Sequence, residues 1–160
     1  MQLSFEGGEW EGIEGMGMEI LNATRPEAEG IIRRIVVMGE SIMKQVLTGA
    51  RTGRTYRVSR TGALHVASAP GEPPAVMFGN LRNSVGHTQP EWDGDTVSAM
   101  YGPGLGTAPA DPSRDPKSYA LRMEYGGVDS RGVKIEPRPY AAPTEERLRP
   151  LAEAEMEKLR

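Results

Sequence analysis

Residues 24–48 constrain this chain more than any other stretch, because they read as one long amphipathic helix. Thr24-Arg25-Pro26-Glu27 is a helix start: Thr24 can cap, Glu27 sits at the capping-box position, and Pro26 is tolerated in the first turn. Gly49 supplies the stop. At helical spacing, Ile31, Ile32, Ile35, Val36, Met38, Ile42, Met43, Val46 and Leu47 fall within an arc of about 180°. Arg33, Glu40 and Lys44 lie on the opposite side. Gly39 falls inside the apolar arc, and its missing side chain predicts close approach by another backbone.

The rest of the chain is heavily punctuated. Its 160 residues include 20 Gly and 13 Pro, so long irregular segments are expected. Residues 1–23 are acidic and Gly-rich and read as an arm, with Leu3 and Phe5 alternating as in a short strand. Thr55–Ser59 and Leu64–Ser68 read as strands, followed by a Pro/Gly run over Ala69–Ala75 that is too stiff for helix. Gly79–Val85 is a short amphipathic turn or helix, and Thr96–Tyr101 is strand-like. Residues 102–118 read as an inserted Gly/Pro/Asp-rich loop. Tyr119–Tyr125 fits a strand by alternation and a short helix by composition, with Ser118 as its cap. Val133–Ile135 is a candidate strand, and Glu136–Tyr140 is extended. Thr144–Leu159 reads as a terminal helix with Leu148, Leu151, Ala152, Met156 and Leu159 on one side, kinked or restarted by Pro150. The organisation expected is an arm over 1–23, a core over 24–143 and a helix over 144–160.

Charge is segregated. Residues 1–30 carry seven acids and one base, and residues 31–60 carry seven bases and one acid, within a chain of net charge −3. Such bands serve as solvated faces, or they meet opposite bands on copies of the same chain. Arg51, Arg54, Arg57 and Arg60 are the candidate intersubunit charges. A third reading sets them on a nucleic-acid backbone, although their spacing of three does not place them on one face of a strand.

Catalytic chemistry finds little support. There is no cysteine, which removes disulfides, thiol nucleophiles and Cys-ligated metals. The two histidines, His65 and His87, read as a half-buried strand residue and a loop residue. With Asp93 and Asp95 they match no zinc or iron spacing. Ser68 and Ser84 sit in no nucleophile elbow, and Gly102-Pro103-Gly104-Leu105-Gly106 lacks the strand-to-helix setting of a phosphate cradle. The expectation is a non-enzyme with no cofactor and no metal. No signal peptide fits, and the longest strongly apolar run, Ile35–Met38, is far short of a membrane span.

One segment carries a resemblance. His65-Val66-Ala67-Ser68-Ala69-Pro70-Gly71-Glu72-Pro73-Pro74-Ala75, followed by Gly79, Leu81 and Ser84-Val85, resembles the tail-completion or head–tail joining proteins of long-tailed bacteriophages. Tyr119-Ala120 through Glu124-Tyr125-Gly126 and Arg138-Pro139-Tyr140 stand in family order behind it. Phe78 stands where the family usually has Thr, Gly127 where Thr often follows, and the first 23 residues match nothing in the family.

The resemblance implies an α+β neck protein: a small, mostly antiparallel sheet on one long helix, plus a C-terminal helix and long Gly/Pro-rich loops. It favours a helix for residues 119–125. It implies a homo-oligomeric ring, hexameric by preference and dodecameric otherwise, in the neck of a virion assembled in the host cytoplasm. Its partners would be connector and tail-tube or terminator proteins, with DNA as cargo in the channel and no membrane. The alternatives are a tail-terminator or head-closure ring, or a nucleic-acid-binding module using Arg51–Arg60.

Overall fold

In the computed structural model the long amphipathic stretch is helix α1, Arg25–Thr48. The structure describes residues 2–3, 18–19, 25–109, 115–116, 119–128 and 131–159. Thr24 and Ser118, expected as caps, lie outside the described residues, as does most of the arm. The remaining elements are β1 (Gln2–Leu3), β2 (Met18–Glu19), β3 (Thr55–Arg57), β4 (Leu64–Val66), α2 (Asn80–Ser84), β5 (Val85–His87), β6 (Glu91–Asp93) and β7 (Thr96–Ser98). They are followed by β8 (Tyr101–Pro103), α3 (Ala120–Tyr125), β9 (Gly127–Val128), β10 (Lys134–Ile135) and α4 (Ala141–Glu157).

The apolar arc of α1 is buried from Ala28 to Leu47 and is shared by two neighbours. On one side lies α4, which packs Leu148, Ala152 and Met156 into the common core. The Arg34 Nε–H donates to Glu155 Oε2 across that contact at 2.7 Å. On the other side lie β5, β7 and β8. Burial of these aliphatic side chains is the main favourable contribution, at about 1.5–3 kcal/mol for each large one. Gly39 makes the second contact possible. A Cβ there would lie 2.9 Å from three atoms of the Tyr101 ring, so what approaches the helix is an aromatic face and not the backbone expected. Leu151 departs from the terminal helix's apolar side and is 46% exposed.

The fold is α+β: a long helix, small largely antiparallel sheets and a C-terminal helix. The strands divide into a four-stranded sheet in the order β2-β1-β7-β6 and three two-stranded pairs, β3–β4, β5–β8 and β9–β10. Only β1–β7 is parallel among these pairings, with Leu3 opposite Val97. The segment read as one strand over Thr96–Tyr101 is two. β7 pairs with β6, and after Ala99-Met100 the chain changes partner to run as β8 along β5. His87 accordingly lies in a strand and not in a loop, opposite Tyr101.

The stretch expected as a loop from residue 102 also begins in β8 and continues into a turn clamped on α2. Gly104 and Gly106 N–H groups both donate to the Ser84 carbonyl, at 2.8 and 2.7 Å. Gly86 and Gly106 permit this, because a Cβ on either would overlap the facing backbone. The terminal helix starts three residues earlier than expected, at Ala141, and runs through Pro150 without restarting.

Sheet and helix meet firmly at the start of α1. The Arg25 guanidinium lies 4.7 Å from the Trp92 ring centroid and donates to the Gly94 carbonyl at 3.1 Å. Trp92 Nε1–H donates to Glu29 at 2.6 Å. Midway along α1, Glu40 receives Lys44 on one oxygen and faces His87 Nδ1 with the other. Burial pushes the Glu40 carboxyl up, but these two partners outweigh it and hold it below the ordinary carboxylate value.

Candidate functional site

The Pro/Gly run is fastened at four points. Glu72 folds back on its own loop: Oε2 accepts from the Thr52 N–H at 3.0 Å and the Ala69 N–H at 2.9 Å, and Oε1 accepts from the Thr52 hydroxyl at 2.6 Å. The Thr52 hydroxyl, then the Thr52 and Ala69 amides, favour the charged form and draw the carboxyl down to about 2. Gly71, at φ 81°, uses a backbone geometry that suits glycine and donates its N–H to the Pro137 carbonyl at 3.2 Å. Arg138 Nη1 donates to the Ser68 carbonyl at 2.6 Å. Arg51 Nη2 donates to the Pro74 carbonyl at 3.1 Å.

Arg51 also closes the end of α1. Its guanidinium reaches the Val46, Leu47, Gly49 and Ala50 carbonyls at 2.6–3.1 Å, satisfying groups that a helix end leaves orphaned. Burial lowers its pKa, opposed by the Glu72 charge. The other three arginines of the series, Arg54, Arg57 and Arg60, are exposed, and Arg57 donates to the Gly62 carbonyl at the tip of the β3–β4 hairpin. The four arginines expected to act alike therefore differ, and Arg51 is held within its own subunit.

The second cluster of motif residues meets the first through Arg138, whose N–H donates to the Met123 carbonyl at 2.6 Å. Of the stretch 119–125 for which the resemblance favoured a helix, Ala120–Tyr125 form one and Tyr119 stands at its N-cap. Glu124 in that helix is buried and accepts from the N–H groups of Tyr140, Ala141 and Ala142 at 2.7, 3.0 and 3.2 Å. Tyr140 is fully buried, with its hydroxyl 3.4 Å from the Ala120 carbonyl, and burial pushes its phenol well up. Gly126 stands at φ 75° with a Cβ position only 2.7 Å from the Ile135 carbonyl. Tyr125 is exposed. Gly79, at φ 77°, opens α2, Leu81 is buried, and the Ser84 hydroxyl donates to the Leu81 carbonyl at 2.8 Å.

These two clusters enclose a cleft of about 300 Å³. Its floor is Leu47, Leu81, Tyr119 and Met123; Tyr56 and His65, in edge-to-face contact, form one wall. Burial, and secondarily Asp115, raise the Tyr119 phenol. Val76, Met77 and Phe78 form the lip and are 37%, 41% and 46% exposed. Arg82 and Arg138 bring positive charge, and among the described residues none in the lining is acidic. Pro73 and Pro139 lie on a second hollow behind the run, with Gly71, Arg51 and Arg147.

Sequence reasoning missed the lip, whose signal was three consecutive bulky apolar residues after a stiff run. It also missed Thr52 and Arg82, for which the sequence held no signal. The motif residues Ser68, Pro74, Gly79, Leu81, Tyr119 and Arg138 do come together around the cleft. Among the described residues, no group of His, Asp and Glu could hold a metal ion, and no helix is long and apolar enough to cross a membrane. Comparison with family models, with characterised proteins and with solved structures finds no match.

Proposed function

We propose that this chain is an architectural ring protein of the head–tail junction in a long-tailed phage or phage-like particle. The observation that carries the reading is the Arg138 guanidinium on the Ser68 carbonyl, with the Arg138 amide on Met123. These bonds join the Pro/Gly run, the Tyr119–Gly126 element and the Arg-Pro-Tyr box, which lie far apart in sequence, into one rigid corner. The motif residues act here as fasteners: they fix loops and helix ends, and they stand beside exposed arginines. Tail-terminator and head-closure rings remain the sister roles within this reading.

As a ring component the chain leaves DNA free to pass. Acidic or mixed side chains then line the lumen, since tight phosphate binding resists transit, and Arg54, Arg57 and Arg60 face an adjacent subunit or partner ring. The nucleic-acid-binding reading is weakened at Arg51, whose guanidinium donates to five carbonyls of its own chain.

The test is deletion of the gene from a strain that makes the particle, followed by electron microscopy. Filled heads and detached tails are the expected products. Normally joined particles sink the proposal.

A further inference from the structure

We propose that the cleft beside Phe78 receives the acidic, Trp10-bearing segment 4–17 of a second copy of this chain. The inference deepens the ring reading and rests on it, because it names the contact that links one subunit to the next.

The cleft is selective in two ways. Its floor is apolar, and its volume of about 300 Å³ sits at the lower end of the roughly 300–1,000 Å³ typical of sites that bury a ligand. Among the described residues its lining carries two guanidiniums, Arg82 and Arg138, and no carboxylate, with Asp115 close enough to Tyr119 to act on its phenol. Arg54, Arg57 and Arg60 are exposed along the adjoining β3–β4 hairpin, Arg54 just before β3, Arg57 at its end and Arg60 in the turn. In a chain of net charge −3 this corner is positive, so it selects an acidic partner with bulky apolar anchors.

The chain itself contains such a partner. Residues 4–17 hold four glutamates, Glu6, Glu9, Glu11 and Glu14, and no basic residue, interleaved with Phe5, Trp10, Ile13 and Met16. Tryptophan is the residue type that most often anchors an interface pocket. A segment of one subunit in a cleft of the next is a head-to-tail contact, which repeats until it closes a ring.

The experiment places p-benzoylphenylalanine at position 78 of the full chain and mixes ¹⁵N-labelled with unlabelled protein before illumination. The expected product joins the Phe78 peptide to residues 4–17 and includes mixed-label pairs. Trp10→Ala is expected to lower its yield about tenfold, the loss of one interface anchor. The double change Glu9→Lys with Glu11→Lys lowers it similarly while leaving the cleft untouched. Same-label pairs alone place the segment in its own subunit and overturn the proposal. Cross-links that avoid residues 4–17 at every concentration, including links to a different protein, also overturn it. Rings that form without this link refute the contact alone, whereas joined particles after gene deletion refute the ring reading.

Discussion

Glu124 of α3 caps the amino terminus of α4, although Tyr140, the residue just ahead of that helix, stands sixteen positions later in the chain. Its two oxygens accept three successive backbone N–H groups, from Tyr140, Ala141 and Ala142. No side chain at the helix's own N-cap does this work. A carboxylate also complements the positive end of the helix dipole.

Replacing Glu124 with Ala leaves those donors, the Tyr140 N–H buried and the other two partly buried, without an acceptor. The expected loss is about 1–3 kcal/mol, read as a lower denaturation midpoint. Glu124→Gln keeps an acceptor oxygen and loses less. Equal stability of wild type and the alanine variant contradicts the capping role.

Glu72 makes the Pro/Gly run acid-sensitive. Its carboxyl is drawn from 4.5 down to about 2 in the folded chain, so the folded state favours the ionised form. That contribution is complete above pH about 4.5 and disappears as pH falls toward 2. Denaturant midpoints of wild type and Glu72→Gln should differ by a constant amount near neutrality and converge between those pH values. A difference that widens toward acid has the wrong sign for this account.

Gly39 and Tyr101 are a matched pair. A methyl on residue 39 meets the ring at 2.9 Å, and over-packing of this kind costs about 1–3 kcal/mol. Gly39→Ala is therefore destabilising despite alanine's better helix propensity. Combined with Tyr101→Leu, it should cost less than the sum of the single changes, as expected for touching residues. Strict additivity in a double-mutant cycle removes the contact from the explanation.

Arg51 ties the end of α1 to the run at Pro74. Lysine retains the charge but lacks the planar fork that reaches several carbonyls at once. Arg51→Lys should speed hydrogen exchange both in the last turn of α1 and at Ala75–Phe78. Faster exchange in the helix alone would show that the Pro74 bond adds nothing.

The helical period of residues 25–48 made α1 legible, and Gly49 marked its end. Tyr119–Tyr125 was different, because its side chains fit both periods. The bonds from residues 140–142 to Glu124 favour the helix, and such a contact between distant residues leaves no trace in local pattern. β5 escaped notice because Val85-Gly86-His87 is short and broken by glycine, and its stability comes from β8. Arg51 looked like one member of an every-third-residue series. Its position two residues beyond Gly49, within reach of unsatisfied helix carbonyls, was the signal that separated it from Arg54, Arg57 and Arg60. The corner around the run was legible through its motifs, whereas the cleft was not, since its walls come from five separate parts of the chain.

At Gly86 and Gly106 two backbones touch with no side chain between them. A methyl group at either position would act as a wedge, lifting the turn after β8 away from β5. Because that turn is bonded to Ser84 and Asn83 of α2, the strain would travel along the short helix to Leu81. The cleft would then change shape although neither glycine lies within it.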